Sequence, residues 1–273
     1  MADAPVIALL TDFGTRDPFA GIMKGVILGI NPSAVIVDLG HDIEPGDVHS
    51  ASFALRTAFP YFPKGTVFAV VVDPGVGTDR RAIAAEIDGR TVVCPDNGLL
   101  SWVLRDYKLG SAVELRESRF HLPNVSGTFH GRDIFAPVAA HLSKGVALSE
   151  LGTPIDDPIT FETPEASVRP QTIKGEVIYI DRFGNLITNI EREPLERWLS
   201  EQQGGRISVQ LGSRDIEGIS RTFGDVAAGH VVALVGGSGM LEIGINQGNA
   251  ADYLGIGKGF PVMVYSLPAS RSR

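Results

Sequence analysis

The chain has 273 residues, of which 44% are hydrophobic, 21% charged and 7% aromatic, a globular composition that excludes a disordered, collagen-like or coiled-coil protein. Its 24 basic residues are outnumbered by 32 acidic ones, a formal charge of −8, and no stretch gathers Lys and Arg into a basic patch, so nucleic acid is not expected as a partner. The single cysteine, Cys94, excludes an internal disulfide, and its apolar neighbours Thr91 to Val93 predict a buried, inert thiol. No apolar run reaches the ~18 residues needed to cross a bilayer, and Met1 to Pro5 lead into Val6 without a basic or long apolar leader, so a soluble cytoplasmic protein away from membranes is expected.

In chain order, Val6 to Leu10 is an apolar strand ending in Thr11 and Asp12. A helical pattern follows over Phe19 to Ile30, stopped at Asn31 and Pro32 because proline cannot continue a helix. Ala34 to Val37 reads as a strand ending at Asp38, Asp47 to Phe59 as a helix with Asp47 at its N-cap, and Thr66 to Val72 as a strand ending at Asp73. Ala82 to Ile87 and Arg90 to Cys94 form a hairpin about Asp88-Gly89, a dipeptide suited to a tight turn. Helices are predicted over Gly98 to Arg105 and Asp133 to Leu142. Residues 161–172 belong to a proline-rich, acidic stretch read as a linker between residues 1–160, an α/β domain with a mainly parallel sheet, and residues 173–273, a smaller mainly-β, barrel-like domain. That second domain rests on the strand-like runs Glu176 to Ile180, Ile207 to Leu211, His230 to Val235 and Val262 to Tyr265.

Three predicted strands end in a carboxylate, Asp12, Asp38 and Asp73, and ligands of open α/β sheets bind beyond the carboxyl ends of strands. Turn formation explains each acid singly about as well, since Asp, Gly and Pro are turn residues. Gly127 to Asp133 packs His130, Arg132 and Asp133 between glycines just before a helix, where His130 is placed either to move a proton of a bound nucleophile or, the more common case for a lone histidine, simply to pack or bond locally while Asp133 caps the helix. The other histidines, His41 among them, have no supporting context. No phosphate-binding glycine loop, dinucleotide fingerprint or zinc motif occurs. Gly236 to Gly239 reads as a turn that lets a ligand approach the backbone. Asp181 to Asn185, with Thr188 and Asn189, offers an acid, amides and an aromatic ring at a strand end, fitted to a small organic ligand or equally to a turn closed by Asp181.

Six segments in order, Leu10 to Gly14, Val71 to Thr78, Pro95 to Leu100, Thr128 to Asp133, Asp181 to Asn185 and Leu241 to Ala250, resemble the S-adenosyl-L-methionine hydroxide adenosyltransferases, relatives of the enzymes that fluorinate and chlorinate the same substrate. The resemblance spans nearly the whole chain. It implies an N-terminal α/β domain and a C-terminal β-barrel-like domain. It also implies a homotrimer with each active site between one subunit's N-terminal domain and its neighbour's C-terminal domain. The family's catalytic residues fall on Asp73, Arg80 and His130, with Arg81 beside the arginine. Asp12 corresponds to the acid that grips the ribose diol, Asp17 and Asp181 to acids near the methionine ammonium, and Phe183 and Asn185 to the adenine contacts. Ser238, Asn249 and Ala250 fall in the segment that completes the pocket. Where the halogenating branch carries tyrosine, tyrosine and serine, this chain has Asp73, His130 and Gly131, which favours water over a halide as nucleophile.

The implied reaction is hydrolysis of S-adenosyl-L-methionine to adenosine and L-methionine, without cofactor or metal. Two competing readings stand beside it. One is a metal-dependent phosphohydrolase using Asp12, Asp38, Asp73 and His130 as ligands, and the other a non-catalytic nucleoside-binding protein.

Overall fold

The computed structural model describes residues 4–202 and 204–267, so the first three residues of the N-terminal reading and the last six of the expected second domain lie outside it. The chain divides into two units between Thr163 and Pro164.

The first unit begins with β1 (Val6–Thr11), α1 (Phe19–Ile30), β2 (Val35–Gly40), α2 (Val48–Ala58) and β3 (Val67–Val71). It continues with β4 (Ala82–Ile87), β5 (Arg90–Pro95), α3 (Ser101–Asp106), β6 (Leu109–Leu115), α4 (Ala136–Ser143) and β7 (Gly152–Ile155). One sheet runs in the order β2-β1-β3-β5-β4-β6-β7. Its β2-β1-β3-β5 half is parallel and carries the crossover helices, and its β4, β6 and β7 extension is antiparallel. β1 and β3 read as unbroken apolar runs because both their faces are covered. Ile7, Leu9, Ala69 and Val71 meet Met23, Ile27 and Val138 of α1 and α4 on one side. Ala8, Leu10, Phe68 and Val70 meet Ala51, Leu55 and Val103 of α2 and α3 on the other.

Local signals account for most of these boundaries. α1 stops at Asn31, whose N–H still bonds Ile27 O before Pro32 removes the next donor. Asp47 caps α2 by accepting from Ser50 N at 3.1 Å. The β4–β5 turn puts Asp88 and Gly89 at φ of 49° and 72°, the mirror-image turn that matches strand twist. Cys94 is fully buried in β5, and burial drives its thiol pKa upward. Two expectations shift. β2 runs on to Gly40, so Asp38 sits within the strand, paired with Lys24 at 2.6 Å and His41 at 3.0 Å. The helix expected from Asp133 starts instead as a π-helical turn, Gly131–Phe135, that passes into α4.

The second unit holds β8 (Ser167–Arg169), β9 (Thr172–Ile180), β10 (Leu186–Glu191), α5 (Arg192–Glu201), β11 (Arg206–Leu211) and β12 (Arg214–Glu217). After these come β13 (Val231–Val235), β14 (Met240–Ile245), α6 (Ala250–Leu254) and β15 (Pro261–Leu267). β8 falls within the stretch read as a linker. The strands form an antiparallel, barrel-like sheet in the order β12-β11-β15-β9-β10-β14-β13, with β8 on β9. Its interior is filled by Ile173, Val177, Ile190, Val209, Leu241, Ile243 and Val264, closed by Leu195 and Trp198 of α5. The Trp198 indole N–H donates to Arg169 O at 2.8 Å, which ties α5 to β8.

Candidate active site

The parallel register sets Thr11 opposite Val71, so the residues following β1 and β3 emerge at one edge of the sheet. Asp12 and Asp73 leave the sheet there, near enough for the charge of Asp73 to act on Asp12. One Asp12 oxygen, Oδ2, accepts from Gly46 N at 2.8 Å. Burial raises the Asp12 pKa above the usual carboxylate value, Asp73 adds to the rise, and the Gly46 N–H opposes it.

Asp73 opens a tight loop that returns as Arg80 seven residues later. The Arg80 Nε lies 2.9 and 3.0 Å from the two Asp73 oxygens, and Arg80 Nη2 donates to Asp73 Oδ2 as well, a bidentate pair in which both side chains are nearly buried. Arg80 Nη2 also reaches His130 Nδ1 at 2.7 Å. Arginine only donates, so Nδ1 is the acceptor and the neutral His130 ring carries its proton on Nε2. Burial, reinforced by the Arg80 cation, lowers the His130 pKa and keeps it in that form. The loop bearing His130 comes this close because of Gly77. With φ of 77° it passes so near the Gly127 carbonyl that any side chain would collide with it.

The two neighbouring arginines separate in space. Arg81 turns away to Asp96 at 2.6 Å and Asp157 at 2.7 Å. Asp133, expected as a helix cap, is fully buried instead: it pairs with Arg132 at 2.6 Å and accepts from Ser126 N and Oγ, so it fixes the loop before His130. Gly131 faces Phe13 and Met23, whose atoms lie 3.2 and 3.3 Å from where a Cβ would sit. Beside these residues an open cavity of about 510 Å³ is lined by Phe13, Phe19, Phe129, Ser126, Thr128 and Arg132. Asp17 is exposed in the loop before α1. His41, left without a role by the sequence, is buried between Thr11 Oγ1 at 2.8 Å and Asp38, and holds the end of β1 to β2. Its signal would have been proximity across a parallel pair, which sequence spacing does not carry.

The second unit gathers another group. Asp181 Oδ1 accepts from Phe183 N and Asn185 N, and Oδ2 from the Asn185 amide, all at 2.9 Å, which closes the β9–β10 turn. The Phe183 ring is left 74% exposed at its tip. Gly184, at φ of 80°, has no side chain where the Asn249 amide packs, and Ala251 N donates to Gly184 O at 2.9 Å. Asn249 caps α6 by accepting from Asp252 N, and Ala250 is buried behind it. So Asp181, Phe183, Asn185, Asn249 and Ala250 are assembled together, with Ser238 in the turn between β13 and β14. Among the described residues, no three His, Cys, Asp or Glu side chains are grouped to hold a metal, and Asp38 is turned to Lys24 and His41.

The chain is thus a two-domain protein whose α/β unit presents Asp12 and Asp73 beyond its strand ends, with His130 in the loop before the π-helical turn, and whose barrel-like unit carries an aromatic and amide turn. Residues 7–152 match the SAM hydroxide adenosyltransferase N-terminal domain and residues 175–263 the C-terminal domain of the same name. The chain belongs to the SAM hydroxide adenosyltransferase family. It is 40% identical to a protein of Thermus thermophilus named (R)-S-adenosyl-L-methionine hydrolase, over 94% of this chain and 98% of that one. A protein of the same name from Salinispora tropica is 38% identical over 95% and 97%. A fluorinase from Actinopolyspora mzabensis is 29% identical over 95% and 97%. The crystal structure of an uncharacterized conserved protein from Thermotoga maritima superposes with a TM-score of 0.88 at 37% identity, covering 95% of this chain and 99% of that one. Among the described residues, no helix is long and apolar enough to cross a membrane.

Proposed function

We propose that the protein hydrolyses S-adenosyl-L-methionine to adenosine and L-methionine in the cytoplasm by attack of water on the ribose 5′-carbon. The observation that carries this reading is the Asp73, Arg80 and His130 network, held in one geometry in a chain akin to proteins named for that hydrolysis. The sulfonium leaves as a neutral thioether and needs no proton. The protein's tasks are therefore to align a water and to take its proton. His130, held by Arg80 at Nδ1 and by the Ser126 backbone, helps to place the water oxygen, while the Asp73 carboxylate, steadied by Arg80, accepts the proton. The oxygen–carbon bond forms as the carbon–sulfur bond breaks, its electron pair passing to sulfur, with inversion at carbon. Gly131 supplies no hydroxyl to a halide, and Asp73 repels one.

Asp12 is assigned to the ribose diol, Asp17 and Asp181 to the ammonium, Phe183 and Asn185 to adenine, and Ser238, Asn249 and Ala250 to the closing wall. Because these residues are drawn from both units, the working form is read as a homotrimer in which neighbouring subunits complete each pocket. Sedimentation of a fully active monomer would sink the oligomeric reading. The reaction is tested by incubating the protein with S-adenosylmethionine and resolving the products by chromatography, with EDTA or chloride added. Adenosine and methionine are expected in all cases. Loss with EDTA would favour the phosphohydrolase reading, a 5′-chloro product would change the nucleophile, and binding without turnover would leave a nucleoside-binding protein.

Asp12 gives a sharper test. With Oδ2 already accepting from Gly46 N, its remaining lone pairs receive the 2′- and 3′-hydroxyls. Losing one hydroxyl leaves a buried acceptor short, at about 1–3 kcal/mol, so the 2′-deoxy substrate is expected to bind roughly ten- to a hundredfold more weakly. Asp12→Asn is expected to narrow that ratio. A ratio unchanged by calorimetry returns Asp12 to turn closure.

A further inference from the structure

The pairing of β1 with β2 slips at its far end. Leu9 lies opposite Asp38 but Leu10 opposite Gly40, so Leu39 is left over as a bulge just where β1 reaches the Asp12 turn. Beyond the bulge, side chains take over from the ladder. Thr11 Oγ1 lies 2.8 Å from His41 Nδ1, His41 Nε2 lies 3.0 Å from Asp38 Oδ1, and Lys24 Nζ donates to Asp38 Oδ2 at 2.6 Å. Thr11 is fully buried and His41 is 6% exposed, so water does not compete for the innermost of these contacts.

The direction of each bond follows from the groups that make it. Burial acts to raise the Asp38 pKa, but the hydrogen bonds from Lys24 and His41 outweigh it and hold the group as a carboxylate. A carboxylate only accepts, so His41 Nε2 carries the proton and Nδ1 of the neutral ring accepts from the Thr11 hydroxyl. The Thr11 oxygen keeps its lone pairs for Phe13 N, 3.3 Å away. Asp12 thus stands between two residues fastened to one hydroxyl. The His41 carbonyl closes the same turn by accepting from Gly14 N at 2.7 Å, and the segment that leaves His41 returns at Gly46, whose N–H holds Asp12 Oδ2. Hydrogen bonds in such a chain polarise one another, so loss of the ring is felt at both of its ends.

We infer that His41 is a positioning residue for ribose recognition, acting through the Thr11 hydroxyl to hold the Asp12 carboxylate in place; this rests on the hydrolase reading and on Asp12 as the diol acceptor. The test is calorimetric binding of S-adenosylmethionine and its 2′-deoxy analogue to the full chain and to His41→Phe, which keeps a ring but removes both of its bonds. The variant is expected to bind S-adenosylmethionine about three- to tenfold more weakly, the scale of one lost hydrogen bond, and the 2′-deoxy analogue to change far less. The ratio of the two therefore narrows, and KM rises while turnover at saturation moves far less. His41→Asn, whose amide oxygen can stand at the Nδ1 position and accept from Thr11, is expected to restore the ratio, and failure to do so overturns the route through Thr11. A purely structural role lowers the unfolding temperature and leaves the ratio as in the parent, which overturns the inference, as does equal weakening of both ligands. If His41→Phe does not fold, Thr11→Val is read in the same way, with Thr11→Ser as the variant that restores the hydroxyl. A parent protein that cleaves S-adenosylmethionine and prefers it to the 2′-deoxy form, with an unaltered ratio in the variants, removes only this inference. Cleavage without that preference removes the Asp12 assignment and this inference together. A parent protein that neither binds nor cleaves S-adenosylmethionine removes the hydrolase reading, and this inference with it.

Discussion

Asp73→Asn is expected to lower turnover of S-adenosylmethionine by about 10²- to 10⁴-fold, the usual worth of a positioned acid or base, while the dissociation constant moves only a few-fold. The asparagine keeps the volume but loses the anion that pairs with Arg80 and that the proposed reaction uses to take the proton. Asp73 and Arg80 are both largely buried, with side chains 6% and 10% exposed. Breaking such a pair leaves an uncompensated cation, at about 3–5 kcal/mol of stability. Turnover is therefore to be measured below the variant's own unfolding transition, next to calorimetric binding of the substrate. A normal turnover number in folded variant would remove Asp73 from the chemistry.

Arg80→Met is expected to cost turnover on a similar scale and also to change a titration. In the parent protein, burial first and the Arg80 cation second hold the His130 pKa below its usual value, and Arg80 occupies Nδ1. Removing the guanidinium frees Nδ1 to protonate and deletes the nearby positive charge, so the His130 pKa rises. The acid limb of the rate profile then moves to higher pH, and nuclear magnetic resonance of the ring reads the same shift directly. The sign extends to stability. Because folding lowers this pKa, the unfolded chain binds the proton more readily, and the native state loses stability as pH falls through the ordinary histidine range. Arg81→Met, which removes the contacts to Asp96 and Asp157, is the matched control and is expected to leave the His130 titration in place.

What could be read beforehand followed from local physics. The α1 stop, the Asp47 cap and the Asp88-Gly89 turn are each decided within a few residues, and each lies where the sequence puts it. β6, β7 and β14 escaped because their side chains are selected by neighbours far along the chain. β14, buried at every position, has no alternation to find. α5 escaped because half of its residues are charged and it holds the core through Leu195 and Trp198. At the site, residue types were legible and partnerships were not. Spacing alone does not distinguish Arg80 from Arg81, whereas a loop pinned by Gly77 against Gly127 does so at once.

The thiol of Cys94 offers a clock. It is the chain's one cysteine, it sits at zero exposure in a central strand, and its raised pKa leaves almost no thiolate to react. A thiol reagent can therefore modify it only when the sheet around β5 opens, and the labelling rate, divided by that of an unfolded control, counts the openings. Ligand that binds the native state must slow that count in proportion to its occupancy. Each variant discussed above thus carries its own internal gauge of fold integrity, one that reports from the middle of the sheet and uses no residue of the site.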